Sequence, residues 1–130
     1  ERRNAAVAKA LEAVRRTLED ERGRWLLDAS HASAQSELAL TGVVDNGLVS
    51  IVIDRTFLDA TGVRWIVDYK TSSHEGAGLD DFLDIERERY RAQLERYAQL
   101  MQALGNEPIR LGLYFPLLSG WREWAPGTMG

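Results

Sequence analysis

Residues 53–72 read IDRTFLDATGVRWIVDYKTS. Two apolar runs, Ser50–Ile53 and Arg64–Val67, flank the turn signal Asp59-Ala60-Thr61-Gly62. If Asp59 pairs with Val63, the loop is Ala60-Thr61-Gly62, a three-residue hairpin with glycine at the left-handed position. The same register sets Asp54 opposite Asp68. Strand positions two apart share a face, so Lys70 projects with Asp68, and two carboxylates and an amine converge. Like charges directly opposed across a sheet are destabilising, so the pattern calls for a cation between them.

The whole chain is one domain's worth of sequence. Its 130 residues can bury a real core, and 45% hydrophobic with 28% charged residues is ordinary for a globular domain. A net charge of −4 means that any polyanion must be met by a local basic patch or through metal. With no cysteine, disulfides and thiolate metal sites are excluded. No run approaches the roughly 18–20 apolar residues of a membrane span, and no signal peptide is visible; a cytoplasmic location is expected. The first residue is Glu1 rather than Met, which suggests a piece of a longer protein.

Upstream of the hairpin, Arg3–Asp20 reads as a helix. Its stripe of Val7, Leu11, Val14 and Leu18 is expected to pack on a sheet. Glu21–Arg24 should end it, and Trp25-Leu26-Leu27 begins a short extended segment or an anchor. Ala29–Ser36, which includes His31, reads as a loop, and Glu37–Val44 as a strand. Asp45-Asn46-Gly47 is a hairpin turn because Asn-Gly readily takes positive φ. Leu48–Leu58 and Val63–Thr71 complete an antiparallel meander of three strands.

Downstream, Ser72–Leu79 is a connector with His74 and Glu75. A helix then runs from Asp81 or Asp84 to Leu104, with Phe82, Tyr90, Leu94, Ala98, Met101 and Leu104 on its core side. Acids at its start suit the helix dipole, and Gly105-Asn106 followed by Pro108 ends it. Ile109–Phe115 is a further strand bounded by Pro116, and Trp121–Trp124 a short edge strand. The expected class is α/β, a mixed sheet with helices against it.

Asp54 and Asp68 offer hard oxygen ligands suited to Mg²⁺ or Mn²⁺. Lys70 could stabilise developing charge or orient an attacking water, as phosphodiester hydrolysis requires. A D-x-K match alone is weak. Spacing alone leaves it balanced against an exposed carboxylate–lysine pair worth under about 1 kcal/mol. The partner acid adds weight. So does the apolar face from which the acids should emerge, with Val52 beside Asp54 and Ile66 beside Asp68.

Together, Asp54, Asp68-x-Lys70 and a helix carrying Tyr90-x-x-Gln93-Leu94-x-x-Tyr97 resemble the PD-(D/E)xK nuclease superfamily. The branch is that of RecB- and AddA-type nuclease domains attached C-terminal to UvrD/Rep-type helicases. Ile53-Asp54-Arg55 resembles that branch's hydrophobic-Asp-Arg strand, and Val67–Ser72 its D-Y-K-T/S signature; the similarity covers Glu37 to Phe115. It implies a restriction-endonuclease-like core of helix, three-strand meander, helix and strand. Asp54 and Asp68 would be metal ligands and Lys70 the catalytic lysine. Tyr90, Gln93 and Tyr97 would line the site from the helix and help hold nucleic acid or the lysine, with core packing the equal alternative for the tyrosines and a buried hydrogen bond for Gln93. Glu37 resembles an acid that supports the site from the preceding strand, whereas Arg55 points to the opposite face and pairs there.

The branch's upstream helical histidine is missing from Arg3–Asp20, His31 and His74 are not in its place, and there is no nucleotide-binding glycine loop. The implied function is a Mg²⁺- or Mn²⁺-dependent DNA exonuclease domain acting in DNA repair and recombination. Its implied partners are DNA, a helicase domain of the same longer chain, and a second helicase-nuclease subunit. The alternatives are a nuclease-like module that grips DNA or a partner without cutting, and an unrelated α/β interaction domain with a chance D-x-K.

Overall fold

The computed structural model describes residues 2–127, with side chains from Asn4 onward. The Asp59–Val63 turn closes as its sequence demands. Asp59 N–H donates to the Val63 carbonyl at 2.9 Å, and Gly62 N–H to the Asp59 carbonyl at 3.0 Å. Gly62 has φ +87°, which a side chain would oppose. The Asp59 carboxylate accepts from Thr61 N–H, Thr61 Oγ1–H and Val63 N–H at one oxygen and from Trp65 Nε1–H at the other. Burial pushes that carboxyl up, but the hydrogen bonds from Trp65, Thr61 and Val63 outweigh it and hold the group at about 2.

In order, the elements are α1 (Arg2–Glu19), α2 (Glu21–Leu26), β1 (Ala32–Val44), β2 (Gly47–Leu58), β3 (Arg64–Tyr69), α3 (Leu79–Gln102), β4 (Ile109–Phe115), a 3₁₀ turn (Pro116–Leu118) and β5 (Gly120–Trp124). The sheet order is β1-β2-β3-β4-β5. β1, β2 and β3 form the antiparallel meander, β4 lies parallel to β3 after the α3 crossover, and β5 returns antiparallel to β4. The β2–β3 register, Arg55↔Val67 through Leu58↔Arg64, is the one read from the turn, and one step further it sets Asp54 opposite Asp68.

One face of the sheet packs on α3: Ile53, Ile66, Leu111, Leu113 and Phe115 meet Leu94, Tyr97, Ala98 and Met101. The other face packs Phe57, Trp65, Val67 and Tyr114 on Leu26, with Trp25 against them. Strict alternation would keep Ile53 on the side of Phe57. Instead the side chains of β2 change faces between Ile53 and Arg55, since Arg55 Nε–H reaches the Leu26 carbonyl at 3.0 Å on the α2 side. β1 changes with it. Leu38 and Leu40 pack toward α3 and Ala34 toward α2, and Glu37 between them has φ +53°.

This reversal corrects the reading that Val52 shares the apolar face of Asp54. Val52 is 52% exposed, and fully buried Ile53 takes the expected place.

α1 departs further from expectation. Val7, Leu11, Val14 and Leu18 are between 51% and 64% exposed, whereas Ala13 is buried. The helix meets α2 and the 3₁₀ turn through another side. Arg16 Nη1–H donates to the Leu117 carbonyl, and a Cβ on Gly23 of α2 would strike the Thr17 carbonyl. Asp20 breaks the helix at ψ 134°, and Glu21–Leu26 forms a helix of its own rather than a terminus followed by an extended segment.

Other boundaries also move. β1 begins at Ala32, inside the expected loop, because Gln35 and Ser36 pair with Thr56 and Arg55 past an irregularity at Ala32–Gln35. The first hairpin turns on Asp45 (φ 52°) and Asn46 (φ 66°), and Gly47 already pairs with Val44. α3 starts at Leu79 and stops at Gln102, so Leu104 lies beyond the helix and is exposed rather than in the core. β3 ends at Tyr69, although Lys70 N–H still donates to the Tyr114 carbonyl at 2.9 Å.

Candidate active site

β2 and β3 bring Asp54 and Asp68 together, and the end of β3 adds Lys70. Asp54 Oδ2 accepts from Tyr69 N–H at 2.8 Å, which fixes its carboxylate against the neighbouring strand. Asp68 is buried. The Lys70 ammonium lies 2.7 Å from Asp68 Oδ2, yet that buried oxygen has no aligned hydrogen bond. Burial, followed by the adjacent Asp68 carboxylate, pushes the Asp54 carboxyl up to about 7; the Tyr69 N–H and the Lys70 charge only partly offset this.

α3 supplies the cover. The Lys70 ammonium sits 3.7 Å from the centre of the Tyr90 ring, a cation–π contact. Gln93 Nε2–H donates to Tyr97 Oη at 2.6 Å. Burial holds the Tyr97 hydroxyl above its ordinary range; the Gln93 hydrogen bond lowers it, and the negative charges of Asp68 and Asp54 add to the rise. Tyr97 is also a core residue, and packing and site-lining coincide in it. Beside Gln93 and Tyr97 a groove of about 600 Å³ runs between α3 and the outer part of β2, lined by Val49, Ser50, Ile51, Val52, Ala92 and Arg96. Its lining holds one cation and no anion.

Glu37, the further acid that the resemblance implies, is beside Asp54 in the sheet, and His31, His74 and Arg55 lie apart from the acids. Glu37 stands on β1 between the pairs Ser36↔Arg55 and Leu38↔Ile53, opposite Asp54, with its side chain exposed. His31 is on the α2 side of the sheet, stacked on Phe57 at 4.0 Å and bonded through Nε2 to the Trp25 carbonyl. His74 stacks on Phe82 and bonds to the Ala77 carbonyl. Arg55 points away from the acids, as expected, but bonds to the Leu26 carbonyl and Ser36 Oγ rather than to an acid. Glu86, one turn before Tyr90, is a buried acid that periodicity alone would have placed on the same helix face as Tyr90 and Tyr97.

The donor set suits a hard divalent cation. Two opposed carboxylates, one with a buried oxygen met only by the Lys70 ammonium and the other driven toward its neutral form, are what such an ion would relieve. Among the described residues no group of three or more His, Cys, Asp or Glu side chains could hold a metal. Mg²⁺ is compatible with this, because it is commonly held by one or two carboxylates and keeps several waters.

A family model for the PD-(D/E)XK nuclease superfamily matches residues 1–122. The chain belongs to that superfamily, and its mixed five-stranded sheet with flanking helices is consistent with the restriction-endonuclease-like fold. No curated protein matches it. Among the described residues no helix is long and apolar enough to cross a membrane.

Proposed function

We propose that this domain is a Mg²⁺- or Mn²⁺-dependent DNA exonuclease, held by Asp54 and Asp68 on its metal and assisted by Lys70. The observation that carries this reading is Asp68 Oδ2: buried, without an aligned hydrogen bond, and flanked by Asp54 and Lys70. A bound divalent ion would polarise a phosphoryl oxygen and lower the pKa of a coordinated water. Asp54 must give up its proton to serve as a ligand. Tyr69 N–H then orients the Asp54 carboxylate, while Lys70 offers positive charge to the phosphate as negative charge builds on it. The groove past Gln93 and Tyr97 leads a strand to the acids, with Arg96 as its phosphate contact. A helicase domain in the same longer chain, a second helicase-nuclease subunit, and a role in repair and recombination in the cytoplasm complete the proposal, which for these rests on the motif resemblance alone.

Asp68→Ala should abolish Mg²⁺-dependent release of nucleotides from linear DNA while circular dichroism stays native. Unchanged release would sink the assignment, and cutting of closed circular DNA would replace exonuclease by endonuclease. One observation favours a second reading, a module that grips DNA without cutting: no third acid or histidine joins the aspartates among the described residues. Titration calorimetry with Mn²⁺ separates the two, since only the nuclease reading requires binding that disappears in Asp54→Ala and Asp68→Ala.

A further inference from the structure

Glu86 is a buried acid that the proposed chemistry does not use. It is only 6% exposed. One oxygen, Oε1, lies 3.4 Å from the guanidinium of the largely exposed Arg89. The other, Oε2, is buried with no hydrogen-bond partner. An under-bonded buried carboxylate is destabilising, and a cation that reaches it in another state of the protein would relieve it.

Helix geometry points to that partner. Residues 86, 90, 93 and 97 are spaced four, three and four apart, so Glu86 shares the side of α3 that carries Tyr90, Gln93 and Tyr97. The Cβ atoms of Glu86 and Tyr90 are roughly 5–6 Å apart at that spacing. Helical side chains lean toward the N-terminus, which carries the Tyr90 ring over the turn of Glu86. That ring is the one against which the Lys70 ammonium rests, 3.7 Å from its centre. In the structure Lys70 is drawn to Asp68 Oδ2. A divalent ion arriving at Asp68 competes with the ammonium for that oxygen and repels it.

We propose that Glu86 is the positioning residue that receives Lys70 when Asp68 is given over to metal. The ammonium slides across the Tyr90 ring from one carboxylate to the other and stays in the site. This rests on the metal-dependent nuclease reading. It adds a second resting place for the lysine, and it gives the buried Glu86 charge a reason to be there.

The test is a double-mutant cycle on Mn²⁺ affinity, read by calorimetry on the full chain as wild type, Glu86→Gln, Lys70→Met and the double variant. Glu86→Gln should weaken Mn²⁺ binding about tenfold, the scale on which an outer partner of a metal site acts. In the Lys70→Met background, where no ammonium has to be moved, the same change should alter affinity by less than about twofold. Glu86→Asp keeps the carboxylate and should recover most of the loss; if Glu86→Gln does not fold, Glu86→Met, apolar and of similar length, carries the comparison. An equal loss in both backgrounds, or none in either, overturns the proposal. A wild-type chain whose Mn²⁺ binding is absent or independent of Asp68 removes the nuclease reading itself. Binding that requires Asp68 but shows no Glu86–Lys70 coupling removes only this inference.

Discussion

With its carboxyl raised to about 7 by burial and by Asp68, Asp54 keeps a proton in the folded protein at pH values where the unfolded chain, titrating near 4, has lost it. The folded state therefore binds more protons between about pH 4 and 7, and stability falls as pH rises through that window. Asp54→Asn should flatten the fall and raise the melting temperature at pH 8, as thermal melts across the range would show. The same proton must leave when metal enters, so Mn²⁺ affinity should drop by up to about tenfold per unit below pH 7. Asp59 has the opposite sign. Its carboxyl is lowered to about 2, so its contribution is present above about pH 4 and is lost as pH falls through 2. Asp59→Ala should destabilise by about 2 kcal/mol in urea titrations at pH 7, with the gap from wild type closing toward pH 2.

At the level of elements, α1 gives the sharpest contrast. Its apolar stripe is exposed and its buried contact is Ala13. Leu11→Gln should therefore shift stability by no more than about 0.5 kcal/mol, while Ala13→Leu should cost about 1–3 kcal/mol by overpacking; denaturation midpoints decide. The hydrophobic period showed that α1 is a helix but not what it faces, because a stripe records a preference for burial without naming the surface that supplies it. The β2–β3 hairpin was legible because its register is local: Gly62 and the bonds to Asp59 set it within five residues. The reversal of faces in β1 and β2 was hidden because it turns on a positive φ at Glu37, where no glycine, asparagine or proline announces it. Which side chains share a face within one element followed from spacing, as with Asp68 and Lys70 or Gln93 and Tyr97. Glu86 was missed because an acid in an Arg/Glu-rich helix reads as solvated until its neighbours are placed.

Across the whole molecule, charge and shape divide the labour. A chain of net charge −4 repels a polyanion at long range, so a DNA strand must be caught where cations stand without acids. The groove beside α3 has Arg96 and no acid in its lining. In an Asp68→Ala background, where the proposed cleavage should be lost, Arg96→Ala should weaken binding about equally for all DNA sequences. It should also reduce the slope of log affinity against log salt by about 1, as fluorescence anisotropy at several salt concentrations would reveal.

The exchange of faces at Glu37 and Asp54 also has a mechanical meaning. Beyond it, β1 and β2 run on as an arm whose tip exposes Val43 and Leu48. Asp54 sits at the root of that arm, while Asp68 is fixed in the interior of the sheet between β2 and β4. The arm is braced rather than free: Leu38, Leu40 and Ile51 pack against the core under α3, and Gly42 leaves just the room that the Leu100 side chain takes. Asp54 therefore stands where a hairpin clamped by α3 joins the central sheet, so cutting back Leu100 would loosen the footing of one acid and leave the other untouched.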